Sequence, residues 1–582
     1  MKIYKAIVTV FVILLMLPGC EFFDLDKEPL NMISGAAIFE DEILVEAYMA
    51  EIYHAIPWHY GALDTPANWI MVEGFGAEAR CYAYWQAPAS APLEVIDENG
   101  VTGIDYWPYN NIRYANEFII GMEASDFDVD FIAHRVAEAR FLRAYMYFQM
   151  VIRYGGVPIL TEPQAVDATA DELNVPRDSE KAVFDFIASE MDAIIPILDP
   201  DAEPGRANKY AALALKSKAM LFAASHAEFP FAGFDSMDGL LGIPSGEANS
   251  YWQASFDASN EIITDGPFSL YNEIGGDPAE NYAQLFIDES NSERIFVEVY
   301  DPAMGKGQSW GVGAVPFEFR QTWGSNFCPF INLIDEYEFL DGSPGALDPA
   351  LVDAVHLFDM DSIFRNRDPR FLATFFFPES DWQGGKVYFH KRTVVGTDTL
   401  TSGTVGAEKW PAKAANRNTV NTGFLTRKRF DESEIGPLRE TSDEDYMVFR
   451  YGEILLNYAE AAFYLGQTGE ALLKLNMIRE RAGMPLLTTI TEEAIRHERT
   501  VELAIEENRY WDLRRWRIAH EVLDGLRTKG LEYTYYYNED KYDLKYKNGD
   551  PSSRVFQDRH YYLPLGVSRV ADNPNLVENP GY

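Results

Sequence analysis

Cysteine is scarce in this chain, with three among 582 residues, at Cys20, Cys81 and Cys328. No CxxC pair and no Cys/His cluster occurs, so a structural zinc site has no ligand set. No HExxH occurs either, since His497-Glu498 lacks the second histidine. Basic residues are few as well: Lys and Arg total 49 against 91 Asp and Glu, for a net charge of −42 and a pI near 4.5. A duplex binder must neutralise phosphates with cations, so nucleic acid is excluded as a partner. The surface as a whole repels anionic partners. Beyond the N-terminus no apolar run reaches the roughly 20 residues that a membrane span needs. What the chain does have is a hydrophobic fraction of 47%, ample for a large core, which argues against disorder. It also has 33 Tyr and 11 Trp, more ring than a core requires, so part of this aromatic surface is expected outside.

Lys2 and Lys5 precede an apolar stretch over 6–17, too short to cross a bilayer and of the length of a secretory signal. The stretch ends in Leu17-Pro18-Gly19-Cys20, which resembles the lipobox of bacterial lipoproteins. That resemblance implies cleavage before Cys20 and acylation of its thiol and new amino terminus. Each buried CH₂ contributes about 0.8 kcal/mol, so several acyl chains form a lasting anchor. Glu21, Asp24 and Asp26 resemble the acidic export signal of Bacteroidetes surface lipoproteins. With Cys20 so used, Cys81 and Cys328 are left either as one disulfide or as two buried thiols.

Helical period dominates two blocks. Over 137–156, Ala137, Phe141, Ala144, Tyr145, Phe148, Val151 and Ile152 fall on one face, and Gly155-Gly156 end the helix. Residues 208–225 repeat the style with many alanines. Residues 450–483 read as two helices divided at Gly466 and Gly469. Ile454, Leu455, Tyr458, Ala459, Ala462 and Phe463 line the first, and Ala471, Leu472 and Leu475 the second. Small residues at matched places resemble tetratricopeptide repeats, which stack because a lone helix pair cannot bury its apolar face. Helical text covers 35–225 and 251–264 and returns at 447–522. Between them, 265–440 is rich in Gly, Pro, Trp and Phe and reads as a loop-rich insertion, while 531–546 alternates Tyr with polar residues as a hairpin does. The expected organisation is a signal peptide at 1–19, an N-terminal region at 20–264 and a C-terminal region at 265–582, joined in one compact unit. The expected fold is mainly α, a tetratricopeptide-like helical-repeat scaffold with the insertion and short β-hairpins.

Several motifs have bland readings that outweigh the functional ones. ENRYWDLRRWR (507–517) sets Arg509, Arg514, Arg515 and Arg517 among Tyr510, Trp511 and Trp516. Such text can mark a single-strand nucleic-acid groove. The charge balance favours a structural helix whose arginines pair with Glu502, Glu506 and Asp512 while its rings pack inward. GQSWG (307–311) fits the nucleophile elbow of hydrolases, which needs a strand before and a helix after; both flanks read as loop, so Ser309 is not taken as a nucleophile. Paired carboxylates can serve glycoside hydrolysis, but among 91 acidic residues no pair stands out. LDPDAEPG (198–205) spaces Asp199, Asp201 and Glu203 like a broken calcium loop without its distal glutamate. A capped turn is the simpler reading. No cofactor is expected, a structural calcium ion being the exception left open.

Six further stretches look like one family. AEARFLRAYMYFQMVIRYGGVPIL (137–160), RNRDPRF (365–371), RYGEILLNYAEA (450–461), NMIRERAGMP (476–485), ERTVELAIEENRYWDLRRW (498–516) and NPNLVENPGY (573–582), together with the lipobox, resemble the SusD/RagB family in the right order along the chain. Glu507-Asn508 stands where the family has Glu-Gly. The resemblance implies a lipid-anchored glycan-binding protein on the outer face of the Bacteroidetes outer membrane, without catalytic activity. Its scaffold would be four tetratricopeptide-like helix pairs. It would cap a SusC-like TonB-dependent transporter and deliver oligosaccharide into it. The alternatives are the same lid role with peptide or another cargo, and a surface glycoside hydrolase or esterase.

A sugar ring has apolar C–H faces, so indoles and phenols make platforms for it and polar side chains read its hydroxyls. Two loop-like segments offer both. EARCYAYWQAP (78–88) carries Arg80, Tyr82, Tyr84 and Trp85, and SWGVGAVPFEFRQTWGSNF (309–327) carries Trp310, Arg320, Trp323 and Asn326 among glycines. The expected glycan contacts are Arg80, Tyr84, Trp85, Trp310, Arg320, Trp323 and Asn326, with Trp58, Tyr60 and Trp382 as reserves. The resemblance supports the choice, because family members place ligand rings in a loop of the N-terminal region and in the central insertion.

Overall fold

The structure is a computed structural model that describes residues 35–58, 71–82, 96–98, 100–101, 103–165, 167–322, 324–353, 355–401 and 421–582. The signal segment and Cys20 lie outside them. The helical part consists of α1 (Glu42–His54), α2 (Tyr109–Glu123), α3 (Val129–Tyr154), α4 (Glu180–Ile194), α5 (Lys209–Glu228), α6 (Ala248–Asp265), α7 (Tyr451–Tyr464), α8 (Thr468–Arg481), α9 (Glu492–Glu502) and α10 (Arg509–Arg515). Polar caps fix the starts: Asp128 accepts from Asp130 N, Ser179 from Ala182 N, Asn208 from Ala211 N and Thr491 from Ala494 N. The helices pack in succession from α2 to α6; α6 then packs on α7 and α7 on α8. The array is therefore continuous in space although the chain leaves it after Asp265 and re-enters at Tyr451. This is the tetratricopeptide-like scaffold that the small-residue pattern predicts.

Alanines do the work of close packing in α5, where Ala211, Ala212, Ala214, Ala219, Ala223 and Ala224 are buried. Ser217 Oγ sits 2.8 Å from Ser259 Oγ of α6, and Asn457 of α7 donates to it at 3.2 Å. The one-face reading of α3 is incomplete. Leu142, Met146, Tyr147 and Met150 are buried besides the seven expected positions, because α3 lies between α2 and α4.

Besides three two-residue hairpins or pairs among the described residues, the strands are β1 (Ala79–Cys81), β2 (Arg294–Glu298), β3 (Phe327–Pro329), β4 (Leu357–Phe358), β5 (Arg392–Val395), β6 (Asp398–Thr401), β7 (Tyr446–Arg450), β8 (Lys529–Tyr536) and β9 (Lys541–Asn548). β2 pairs with β7, closing the insertion at its two ends. The predicted hairpin is β8–β9, and it is the centre of a five-stranded sheet ordered β6-β5-β8-β9-β4. Leu531, Tyr533, Tyr535, Tyr542 and Leu544 turn into a second core shared with the insertion. Among the described residues no helix is long and apolar enough to cross a membrane.

A buried ion network ties the insertion to the helices. Arg450 reaches Glu506 at 2.7 Å, Glu502 at 2.9 Å and Glu293 at 3.2 Å. Arg370 binds Asp368, Glu498 and Glu502, Arg481 binds Glu293 and Glu502, and Lys428 binds Glu506. Burial alone would raise the Glu502 carboxyl; Arg481, Arg450 and Arg370 overcome it and hold it far below the usual range. The arginines of 507–517 are structural; of the expected partners Asp512 is used, while Glu502 and Glu506 are not. Arg515 pairs with Glu460 and Asp512, Arg514 donates to the Tyr561 carbonyl, Arg517 to Tyr562 Oη and Arg509 to Thr500. Glu502 and Glu506 instead serve Arg370, Arg450, Arg481 and Lys428.

Candidate functional site

The two loop segments singled out in the sequence meet in space. β1 and β3 form an antiparallel ladder with Ala79 opposite Pro329, Arg80 opposite Cys328 and Cys81 opposite Phe327. The pairing continues one step beyond the strands, where Tyr82 N donates to the Asn326 carbonyl at 2.9 Å. Asn421 donates its side-chain amide to the Tyr82 carbonyl, so the end of the insertion joins the same place. The loop of 316–324 is closed at its neck by Ser325 N on Val315 O (2.8 Å) and Asn326 N on Gly313 O (2.9 Å). Ser325 takes the left-handed conformation, φ 57°, which turns the chain back into β3.

Within this rim, Arg320 lies with its guanidinium carbon 3.9 Å from the centre of the Phe317 ring. It has no ion-pair partner among the described residues. Asn326 is 8% exposed and its backbone is fixed on both sides, yet its side-chain amide makes no hydrogen bond to any described residue. Tyr82 is half-buried beside it. The arrangement offers a planar cation, an amide with donor and acceptor, and a phenol ring. That set can stack on and hydrogen-bond to a polyhydroxylated ligand. Phe317 was not singled out from the sequence; its signal is the aromatic three residues before Arg320 in FEFR.

Other predicted contacts fall elsewhere. Tyr84, Trp85 and Trp323 lie outside the described residues, as does Tyr60. Trp310 is no surface platform: it is 2% exposed, its indole N–H donates to the Lys428 carbonyl at 2.8 Å, and Arg429 and Phe327 cover its faces. The glycines around it mark tight packing, not an open loop. A Cβ on Gly313 would sit 2.2 Å from the Phe327 ring, and one on Gly311 would sit 2.4 Å from the Glu434 carboxylate. Arg80 is buried too; it donates to the carbonyls of Gly549 (2.6 Å) and Cys81 (3.1 Å) and lies 3.8 Å from Asp550. It holds the ladder instead of facing a ligand. Trp58 and Trp382 are likewise core, packed on Tyr145 and Phe296 and on Phe376 and Phe430.

Ser309 is 1% exposed, and its hydroxyl accepts from Glu440 N at 3.1 Å. A short helix, Trp310–Ala314, does follow it, contrary to the loop reading. Cys81 and Cys328 are buried on adjacent strands, out of register by one, and burial raises both thiols, Cys328 to about 11. Around Asp199–Glu203 the polar groups serve the chain: Lys209 N donates to the Asp199 carbonyl and Arg206 N to the Glu203 carbonyl. Among the described residues no group of three or more potential metal ligands converges.

The helical array, the insertion and the ladder define the class: a tetratricopeptide-like scaffold presenting a loop-built rim. Residues 292–582 match the SusD family, and residues 25–221 match the family described as starch-binding associating with outer membrane. SusD-like protein P25 of Formosa agariphila is 25% identical, with both chains covered in full, and a SusD-like protein of Bacteroides ovatus is 22% identical over 97% of this chain and 96% of its own. A crystal structure of a SusD-like protein from Bacteroides fragilis superposes with a TM-score of 0.73 at 25% identity, covering 96% of this chain and all of that one. A laminarin-binding SusD-like protein shares the fold, with a TM-score of 0.61 at 19% identity over 93% of this chain and all of that one. This chain belongs to the SusD/RagB family.

Proposed function

We propose that the chain is a cell-surface glycan-binding lipoprotein, anchored through Cys20 in the outer membrane, that captures oligosaccharide or polysaccharide and passes it to a SusC-like TonB-dependent transporter. The observation that carries this reading is the β1–β3 ladder. It joins an N-terminal loop to the insertion and sets Arg320, stacked on Phe317, and Asn326, whose side-chain amide no described residue hydrogen-bonds, on a shared rim. Structural neighbours that include a SusD-like carbohydrate-binding protein of Bacteroides fragilis and a laminarin-binding SusD-like protein support it. Binding would be passive, by stacking and hydrogen bonding. If each stacked ring contributes about 0.5–1.5 kcal/mol, as an aromatic pair does, a few rings reach about millimolar affinity. Weak binding suits a protein that hands its ligand onward. We read it as a binding protein and not as an enzyme, Ser309 being inaccessible.

The test is native affinity electrophoresis of the mature chain carrying Cys20→Ser, across plant, host and microbial polysaccharides, with Trp85→Ala and Trp323→Ala beside it. Retardation by one class of glycan, lost in a folded tryptophan variant, supports both function and site. Retardation that survives both substitutions keeps the function and moves the site. A folded chain that no glycan retards overturns the reading in favour of another cargo.

A further inference from the structure

The chain is strongly acidic, yet one face of its five-stranded sheet is cationic. The inner face is apolar. On the outer face, the β8–β9 register sets Lys545 opposite Glu532 and Lys547 opposite Gly530. β5 runs parallel to β8 and brings Arg392 level with Thr534, with Lys391 just before it. Lys391 Nζ lies 3.0 Å from one oxygen of Glu532, and Arg392 lies 2.8 Å from the other. Both oxygens of that carboxylate are therefore engaged. The other acid of this face, Asp543, is 6% exposed between the strands. Lys545 is exposed; it acts on the Asp543 carboxyl through space but forms no direct ion pair with a described carboxylate. Lys547 is half-buried, and its ammonium is pulled down to about 8, first by burial and then by Lys391. Positive charges crowd one another here, the opposite of the chain's average.

This face abuts the candidate site. The backbone of Thr422 crosses the sheet at Gly530, where a Cβ would sit 2.6 Å from Thr422 Cα. The preceding residue, Asn421, holds the Tyr82 carbonyl. Lys547 also lies within electrostatic range of Arg80 and Cys328. Cys328 is two residues from Asn326, about 7 Å along an extended strand.

We propose that the glycan taken by this protein is anionic, carrying uronate or sulfate groups, and that Lys391, Arg392, Lys545 and Lys547 form a subsite for those groups beside the loop rim. The inference rests on the glycan-binding reading above. The net charge of −42 does not forbid it. Exposed charges more than about 8 Å away are largely screened at physiological salt, so the local patch governs what approaches it. Each exposed cation–anion contact contributes up to about 1 kcal/mol, roughly fivefold in affinity, and a polyanion can engage several at once.

The experiment compares a polyuronate, a sulfated galactan, the neutral polymers made from them by carboxyl reduction and desulfation, and poly-glutamate as a polyanion without sugar. Affinity is measured at about 50 and about 300 mM NaCl, the higher salt shortening the range of the charges. The expected result is one charged glycan bound about tenfold tighter than its neutral counterpart, a preference that shrinks at high salt. Lys545→Gln with Lys547→Gln should weaken that binding about tenfold at unchanged thermal stability, and Lys545→Arg should retain it. The polymer that binds distinguishes carboxylate from sulfate. Equal affinity for charged and neutral glycans, indifference to the lysine substitutions, or equal binding of poly-glutamate would overturn the inference. A neutral glycan bound without charge preference sinks this inference alone, whereas a folded chain that binds no glycan sinks the function as well.

Discussion

Arg515 in α10 and Lys545 in β9 both stand in regular elements of an acidic chain. Arg515 is fully buried, and its guanidinium is bonded to Glu460 and Asp512. Lys545 is exposed and, although Glu532 stands opposite it and Asp543 lies within electrostatic range, no described carboxylate forms a direct ion pair with it. The difference follows from position. α10 is covered by the helical array and the C-terminal tail, so a cation there must bring its counter-charge. On the outer face of β9 Asp543 is buried and Lys547 half-buried, but Lys545 reaches solvent, so a cation there can wait for a ligand. Basic-aromatic text in the sequence does not separate the two cases, because a buried ion network and a binding surface draw on the same residue types.

Breaking a buried pair by removing one partner costs about 3–5 kcal/mol, since the other charge is left in a medium that cannot solvate it. Arg450→Met removes the cation that Glu293, Glu502 and Glu506 share, leaving Glu506 with Lys428 alone, and should lower stability by about that amount in chemical denaturation. Arg392→Gln on the open sheet should stay within about 0.5 kcal/mol. A loss below 1 kcal/mol for Arg450→Met would mean that the network does not hold the insertion against α9, and would erase the contrast with the sheet.

A second prediction concerns pH and sits between the two regions. Glu78 precedes β1, is 1% exposed, and accepts from Ile505 N at 3.2 Å. Burial pushes its carboxyl up to about 8, the Glu73 carboxyl adds to the rise, and Arg509 and Lys428 oppose it. The folded state therefore keeps a proton that the unfolded chain gives up near pH 4.5. Glu78 contributes stability below its unfolded value, and the contribution is lost as pH rises through about 8. Glu78→Gln has no proton to lose. Its stability relative to wild type should improve by roughly 3 kcal/mol between pH 5 and pH 8, read from paired denaturation curves. A difference that stays flat across this range would mean that Glu78 is ionised in the fold.

The same contrast explains what the sequence made legible. The helices were readable because a 3.6-residue period and alanine at contact points survive any tertiary context, as in α5 and α7. The convergence of 78–82 with 326–329 was foreseen only as two candidate loops; no spacing within either segment encodes the pairing that joins them. Trp310 misled because glycine has two meanings. Gly311 and Gly313 look like an open loop in the sequence, but each occupies a place where a side chain would collide with Glu434 or Phe327. The cationic face was invisible for a different reason. Lys391, Arg392, Lys545 and Lys547 are more than 150 positions apart in two groups, and only the parallel pairing of β5 with β8 makes them neighbours.

The smallest effect sharpens the comparison most at the rim itself. Asn326 has a rigid backbone and an amide that no described residue engages, so its side chain should matter to the ligand and hardly to the fold. One neutral hydrogen bond contributes about 0.5–1.5 kcal/mol, so Asn326→Ala should weaken the bound glycan about two- to tenfold in calorimetry. The denaturation midpoint should not move, because neither the Gly313 nor the Tyr82 contact uses the side chain. Trp310→Phe is the counterpart: it deletes the indole N–H that Lys428 O accepts, and should lower stability by about 1–3 kcal/mol through that orphaned carbonyl. If Asn326→Ala instead shifts the midpoint and leaves affinity unchanged, the amide is part of the frame. The rim would then consist of Arg320, Phe317 and Tyr82 alone.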